Sequence, residues 1–208
     1  MKKTALLSFM VMFAATGLYA QSAGELLNKV SKNYQSIAAY YIKFEFHDSN
    51  HPETETGDLY ASKDKYSVQI MDIRQMYDGK NLYTISKEDK EVTVSQPSPD
   101  SNDFLSPTKI LNIYKDNFEA SMDKTGTANG KKVQYLKLTP KSKTEIDYAI
   151  VGIYTDNHTL YNYREYYGVG NSREFTVKEY LENLIIPKAL FKFDQSKYEK
   201  DGYIVTPI

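Results

Sequence analysis

No cysteine occurs anywhere in the 208 residues. That absence excludes disulfides, thiolate nucleophiles and thiolate metal sites together. It also excludes a lipid anchor on a cysteine placed directly after an export signal, because Gln21 stands at that position. Tryptophan is missing as well, and neither sign of charge dominates: the formal net charge is -1, with lysines alternating with Asp and Glu along most segments, as on an ordinary solvated face. Nucleic acid is therefore not an expected partner. Long apolar runs are scarce too. The one near the N-terminus falls short of the about 20 residues that span a bilayer, so the expected mature protein is water-soluble.

Catalytic signatures are equally thin. Of the three histidines, His47 and His51 flank the turn Asp48-Ser-Asn at a spacing a metal could use, yet no third ligand follows at a recognisable distance, and His158 lies in a turn. Neither a Gly-x-Ser-x-Gly elbow, a phosphate-binding Gly-rich loop nor a His-Glu-x-x-His pattern is present. The acidic pairs Glu53 with Glu55 and Glu88 with Asp89 sit among lysines and read as solvated surface rather than as acid and base. The triplet Asn157-His-Thr159 matches a glycosylation acceptor of a kind that arises often by chance. No catalytic residue, metal or cofactor is expected.

What is present begins with an export signal. Lys2-Lys3 forms a positive start, an apolar run extends from Ala5 to Thr16, and small residues follow near Ala20-Gln21. Residues 1–20 are expected to be cleaved, leaving 21–208 as a single domain outside the cytoplasm. Ser22 and Glu25 then have the spacing of a capping box, which predicts a helix start. Leu26, Leu27, Val30, Tyr34 and Ile37 continue it as one apolar stripe.

From Tyr40 the period changes to two. Tyr40, Ile42, Phe44 and Phe46 share one face, with Tyr41, Lys43, Glu45 and His47 on the other. Further strands are expected over 54–61, 66–71, 74–77, 81–85 and 91–95, with Asp78-Gly79 as a hairpin turn. A Pro-containing loop over 96–103 leads to a short helix over 108–114, and strands follow over 118–122, 132–139, 148–154, 160–167 and 174–182. The 19 tyrosines recur inside the alternating segments, where an amphipathic ring suits a half-buried strand. About ten antiparallel strands and two helices make a mainly β (α+β) protein, built on one large curved sheet that must close, split or be covered. Two helices do not cover such a sheet, and an incompletely filled concave face is a ligand cavity.

Several segments, taken in order, resemble the LolA family of periplasmic outer-membrane lipoprotein carriers. They are the helix from Glu25 through Tyr34-Gln-Ser-Ile and the strand through Phe44; Gly57-Asp-Leu-Tyr60; Tyr77-Asp-Gly-Lys-Asn-Leu-Tyr83 with Val92-Thr-Val94; Leu136-Lys-Leu-Thr-Pro140; and Ala189-Leu-Phe-Lys-Phe193. The resemblance runs through nearly all of 21–208. Where the family carries Arg-Pro after the Gly-x-Leu-aromatic strand, this chain reads Ala61-Ser-Lys-Asp-Lys65, with Lys63 the nearest counterpart. A lysine has no planar fork to bond several carbonyls at once.

The resemblance implies a half-open antiparallel β-barrel whose concave apolar face is covered by helices. Acyl chains would enter between sheet and lid, with Ile42, Phe44, Phe46, Leu59, Val68, Ile70, Met76 and Leu82 lining the cavity or the core beside it. Lys63, Ile110, Leu111 and Tyr114 would belong to the lid. It further implies a monomeric, non-catalytic periplasmic shuttle that takes acylated lipoproteins from an inner-membrane lipoprotein-releasing ABC transporter towards the outer membrane, with or without a dedicated acceptor there. A lipid- or glycolipid-binding or lipoprotein-sensing module on the same fold is the alternative.

Overall fold

Alternation of apolar and polar residues along short segments, broken by turn residues, forms strands because each strand buries one face and wets the other. In a computed structural model, which describes residues 15–97 and 117–207, that pattern produces one sheet. The helix α1 (Ala15–Ser36) precedes β1 (Ala39–Asp48), β2 (His51–Ser62), β3 (Lys65–Ile70), β4 (Ile73–Tyr77), β5 (Leu82–Ser86) and β6 (Glu91–Ser95). The second half contains β7 (Phe118–Ala128), β8 (Lys131–Pro140), β9 (Ile146–Tyr154), β10 (Leu160–Tyr167) and β11 (Asn171–Glu182). A 3-10 turn (Lys188–Phe191), a short helix α2 (Gln195–Lys200) and β12 (Ile204–Pro207) end it.

The spatial order is β12-β6-β5-β4-β3-β2-β1-β11-β10-β9-β8-β7, a 12-stranded open, curved sheet that does not close into a barrel. Two antiparallel meanders run outward in opposite directions from a central pairing of β1 with β11. The exception is β12, which pairs parallel to β6. Turn chemistry fixes the hairpins: in the β4–β5 turn, Asp78 Oδ1 accepts the N–H groups of Lys80 and Asn81, both at 2.8 Å, and Gly79 takes φ +98°, which a glycine adopts without steric cost.

Helix α1 lies on the inner face. Its stripe of Ala23, Leu27, Val30 and Tyr34 packs with Tyr40, Ile42 and Phe44 of β1, Leu59 and Ala61 of β2, and Leu136, Leu138, Ala149, Val151 and Ile153 of β8 and β9 in the main core. A second, smaller core sits on the outer face. There Met76, Tyr83, Ile85 and Val92 are covered by Phe193, Tyr198, Tyr203 and Val205 of the C-terminal segment. The sheet thus changes its apolar face between β3 and β4: opposite Val68 on the inner side stand Gln75, then Thr84 and Thr93.

Several expectations need correction. The capping box at Ser22 does not start the helix, because the residues before it extend α1 back to Ala15. Strand β7 runs on to Ala128 instead of stopping at Met122, since a register shift between Met122 and Thr125 absorbs the irregularity. The strand β12 and α2 were not anticipated, and Ala189 to Phe191 lies in a 3-10 turn. Met76, expected beside Leu82 in the cavity, lies in the outer core: in β4 it is Tyr77, opposite Leu82, that faces inward. The short helix over 108–114, with Ile110, Leu111 and Tyr114, lies outside the described residues.

Candidate functional site

The inner face is built in cross-strand rows, each set by register. Tyr40, Ala61, Tyr66, Tyr77 and Leu82 form the row nearest the end of α1, followed by Ile42, Leu59 and Val68, then Phe44, Gly57 and Ile70. A further row crosses the central pairing into the second half as Phe46, Phe175, Tyr163, Val151, Leu136 and Met122.

Burial falls along these rows. Ile42, Phe44, Leu59 and Leu82 are buried, whereas Phe46, Val68 and Ile70 are half-buried at the edge of the same cluster, together with Phe175 and Tyr163. Seven of the eight expected lining residues therefore share one apolar bed, and Met76 does not. Lys63 sits exposed in the β2–β3 turn with φ +54°, its N–H donating to Ala38 O at 3.2 Å, at the end of the sheet where α1 finishes.

Tyr34 fixes α1 to this face. Its hydroxyl accepts the Leu160 N–H at 3.2 Å, its ring meets Tyr40 edge-on at 5.3 Å and Tyr180 at 5.7 Å, and burial drives its hydroxyl pKa well up, so it stays neutral. Asn33 adds a bond from Nδ2 to Asn157 O at 3.2 Å.

The opposite end of the bed is polar. One row beyond Phe46, Phe175 and Tyr163 stand Asp48, Arg173 and Glu165, in register on β1, β11 and β10. Arg173 Nε donates to Asp48 Oδ2 at 3.2 Å, and the guanidinium lies 4.7 Å from the Tyr167 ring centroid. Asp48 Oδ1 accepts the Asn50 N–H at 2.9 Å and the Tyr167 hydroxyl at 3.2 Å; these bonds, the Asn50 N–H foremost, hold its carboxyl below the ordinary carboxylate range. Tyr163 donates its hydroxyl to Glu165 Oε1 at 2.6 Å. Sequence reasoning named none of Phe175, Tyr163, Arg173 or Glu165, although the alternation Arg173, Phe175, Val177 carried the signal.

Among the described residues no group of three or more His, Asp or Glu gathers as for a metal ion, and none of their helices is long and apolar enough to cross a membrane. The arrangement is an apolar bed anchored under a helix at one end and bordered by hydrogen-bonding groups at the other, a layout that can accommodate a molecule with apolar and polar parts.

No protein-family model and no curated protein matches the chain. Solved structures do. An uncharacterized conserved protein from Thermus thermophilus superposes with a TM-score of 0.65 at 10% identity, over 90% of this chain and 100% of that one. LprF from Mycobacterium bovis superposes with a TM-score of 0.51 at 10% identity, over 80% of this chain and 96% of that one. The likeness is one of fold. A LolA superfamily protein from Nitrosomonas europaea is also among the similar structures, at 9% identity over 82% of this chain and 97% of that one, with a TM-score of 0.40 that is too loose to argue from.

Proposed function

We propose that the mature chain is a soluble periplasmic carrier. It holds the acyl chains of lipoproteins on the inner face of the sheet and shuttles them from the inner to the outer membrane. The observation that carries this reading is the half-buried apolar row of Phe46, Phe175 and Tyr163, continuous with Val68 and Ile70, at the edge of a core that α1 seals at its other end. Side chains in that position fit tails that must enter and leave.

Burying an acyl chain gains about 0.8 kcal/mol per methylene, hence on the order of 12 kcal/mol for a chain of ~15 methylenes. A lipoprotein therefore does not cross water unaided. A bilayer offers the same gain per methylene, so a carrier works by matching the membrane rather than by exceeding it, and it needs no catalysis. In this reading residues 1–20 are removed on export, the mature chain begins at Gln21, and Ser22 then stands near the start of α1 with Glu25 at capping-box spacing. Gln21 offers no thiol for lipidation at that position. An inner-membrane releasing transporter is the partner such a shuttle requires, and delivery at the outer membrane proceeds with or without a dedicated acceptor.

Val68→Glu tests the proposal, since it places a carboxylate on the bed next to Leu59 and Gln75. Lipoproteins are expected to accumulate at the inner membrane of cells producing the variant. Normal sorting by a stably folded variant would contradict the carrier role.

A further inference from the structure

We infer that Arg173 recognises the carbonyl groups at the head of the bound amphiphile, so that the tails lie over Phe46 and Phe175 and the ester or amide carbonyls meet the guanidinium. The inference rests on the carrier reading and deepens it by fixing the orientation of the cargo.

Register places Arg173 beside the bed. Phe46 pairs with Phe175 and, one row on, Asp48 pairs with Arg173, while on the other flank Tyr163 pairs with Phe175 and Glu165 with Arg173. Side chains two apart on a strand share a face, so the apolar row and the polar row are neighbours on the inner side. The border between them, from tail-binding rings to hydrogen-bonding groups, occupies a single step of the strand. A molecule whose own polarity changes as abruptly, as at the junction of acyl chain and carbonyl, matches it.

The chemistry of the polar row selects among heads. Arg173 is 53% exposed and uses only Nε in its ion pair with Asp48, which leaves the terminal N–H groups outside that pair; the guanidinium carbon lies over the Tyr167 ring. Asp48 accepts from Arg173, Asn50 and Tyr167 at once, so it is engaged within the protein. Its charge offsets that of Arg173, and Glu165 adds a negative group in the adjacent register position. The row therefore offers donors without net positive charge, which suits neutral acceptors such as acyl carbonyls better than free anions.

Acyl carbonyls occur both on a diacylglyceryl-modified peptide and on a diacyl phospholipid. The test pairs each of these with its dialkyl ether counterpart of equal chain length, which keeps the tails and the head and loses the carbonyls. Binding of all four is measured for the wild-type protein and for Arg173→Gln. The wild type is expected to bind each ester about 10-fold more tightly than its ether, the size of one hydrogen bond from a charged donor. Arg173→Gln is expected to abolish that preference while leaving the ether affinities unchanged. A preference confined to the peptide pair assigns the carbonyls to acylated polypeptide; one confined to the phospholipid pair assigns them to membrane lipid.

Equal binding of ester and ether by the wild type would overturn the assignment and leave the carrier reading standing. So would a parallel loss of both in Arg173→Gln, the result of a merely loosened hairpin. Failure of the wild type to bind any of the four would overturn the carrier reading and this inference with it.

Discussion

Phe44 lies across Gly57, its register partner on the neighbouring strand, and fills the space where a Cβ would stand. A methyl group at Gly57 would overlap the Phe44 ring, 2.7 Å from Cε2, and would also come within 2.8 Å of the Gln69 carbonyl oxygen. Since Phe44 packs against Phe175 with ring centroids 4.6 Å apart and the rings tilted by 32°, the glycine sets the floor of the bed where the two halves of the sheet meet. Gly57→Ala is expected to cost about 1–3 kcal/mol, the range for forced overpacking, measured by urea unfolding. Shortening the ring in Phe44→Leu, Gly57→Ala should recover only part of that loss, because the Gln69 carbonyl is backbone and stays in place.

The two apolar faces should be separable. Phe193 stacks on Tyr83 at 4.4 Å and on Tyr198 at 5.1 Å, covering the outer core. Arg74 ties the same segment down by donating from Nη2 to Leu190 O at 3.0 Å. Phe193→Ala is expected to lower stability by about 2–3 kcal/mol, below the ~3–5 kcal/mol of a fully buried phenylalanine. Acyl-chain binding, on the other side of the sheet, should be unchanged in the folded protein. A variant that keeps its stability but loses binding would contradict this division.

The β4–β5 turn carries a pH dependence. Burial pushes the Asp78 carboxyl up, but the N–H groups of Asn81 and Lys80, the Tyr83 hydroxyl and the nearby Lys65 charge outweigh it and hold the group below the ordinary carboxylate range. A folded-state pKa below the unfolded one means that the stabilisation is complete above the unfolded value and is lost as pH falls through the folded value. Asp78→Asn should therefore be less stable than the wild type near neutrality, with the difference shrinking in acid. A difference that stays constant with pH would show that the carboxylate charge contributes nothing.

Strands β6 and β10 are readable in the sequence to the residue, because two-residue alternation and turn residues are local signals. The two faces of β1, with Tyr40, Ile42, Phe44 and Phe46 together on one, are readable for the same reason. Met76 falls on the outer face although periodicity along a strand gives two faces without saying which is inner, because the apolar side changes between β3 and β4. The cause of that change is the C-terminal cover, whose Phe193 and Val205 lie more than a hundred residues further along the chain. Arg173 was missed for a related reason. Its place in the polar row follows from standing between Asp48 and Glu165, which only strand pairing brings together.

The most direct test of the central claim is the load that the protein carries. The mature chain, purified from its own host without delipidation and extracted under denaturing conditions, is expected to release triacylated peptides that mass spectrometry identifies. A protein that emerges free of lipid and acylated peptide, with Phe46, Val68, Ile70 and Phe175 closed into a filled core, would contradict it.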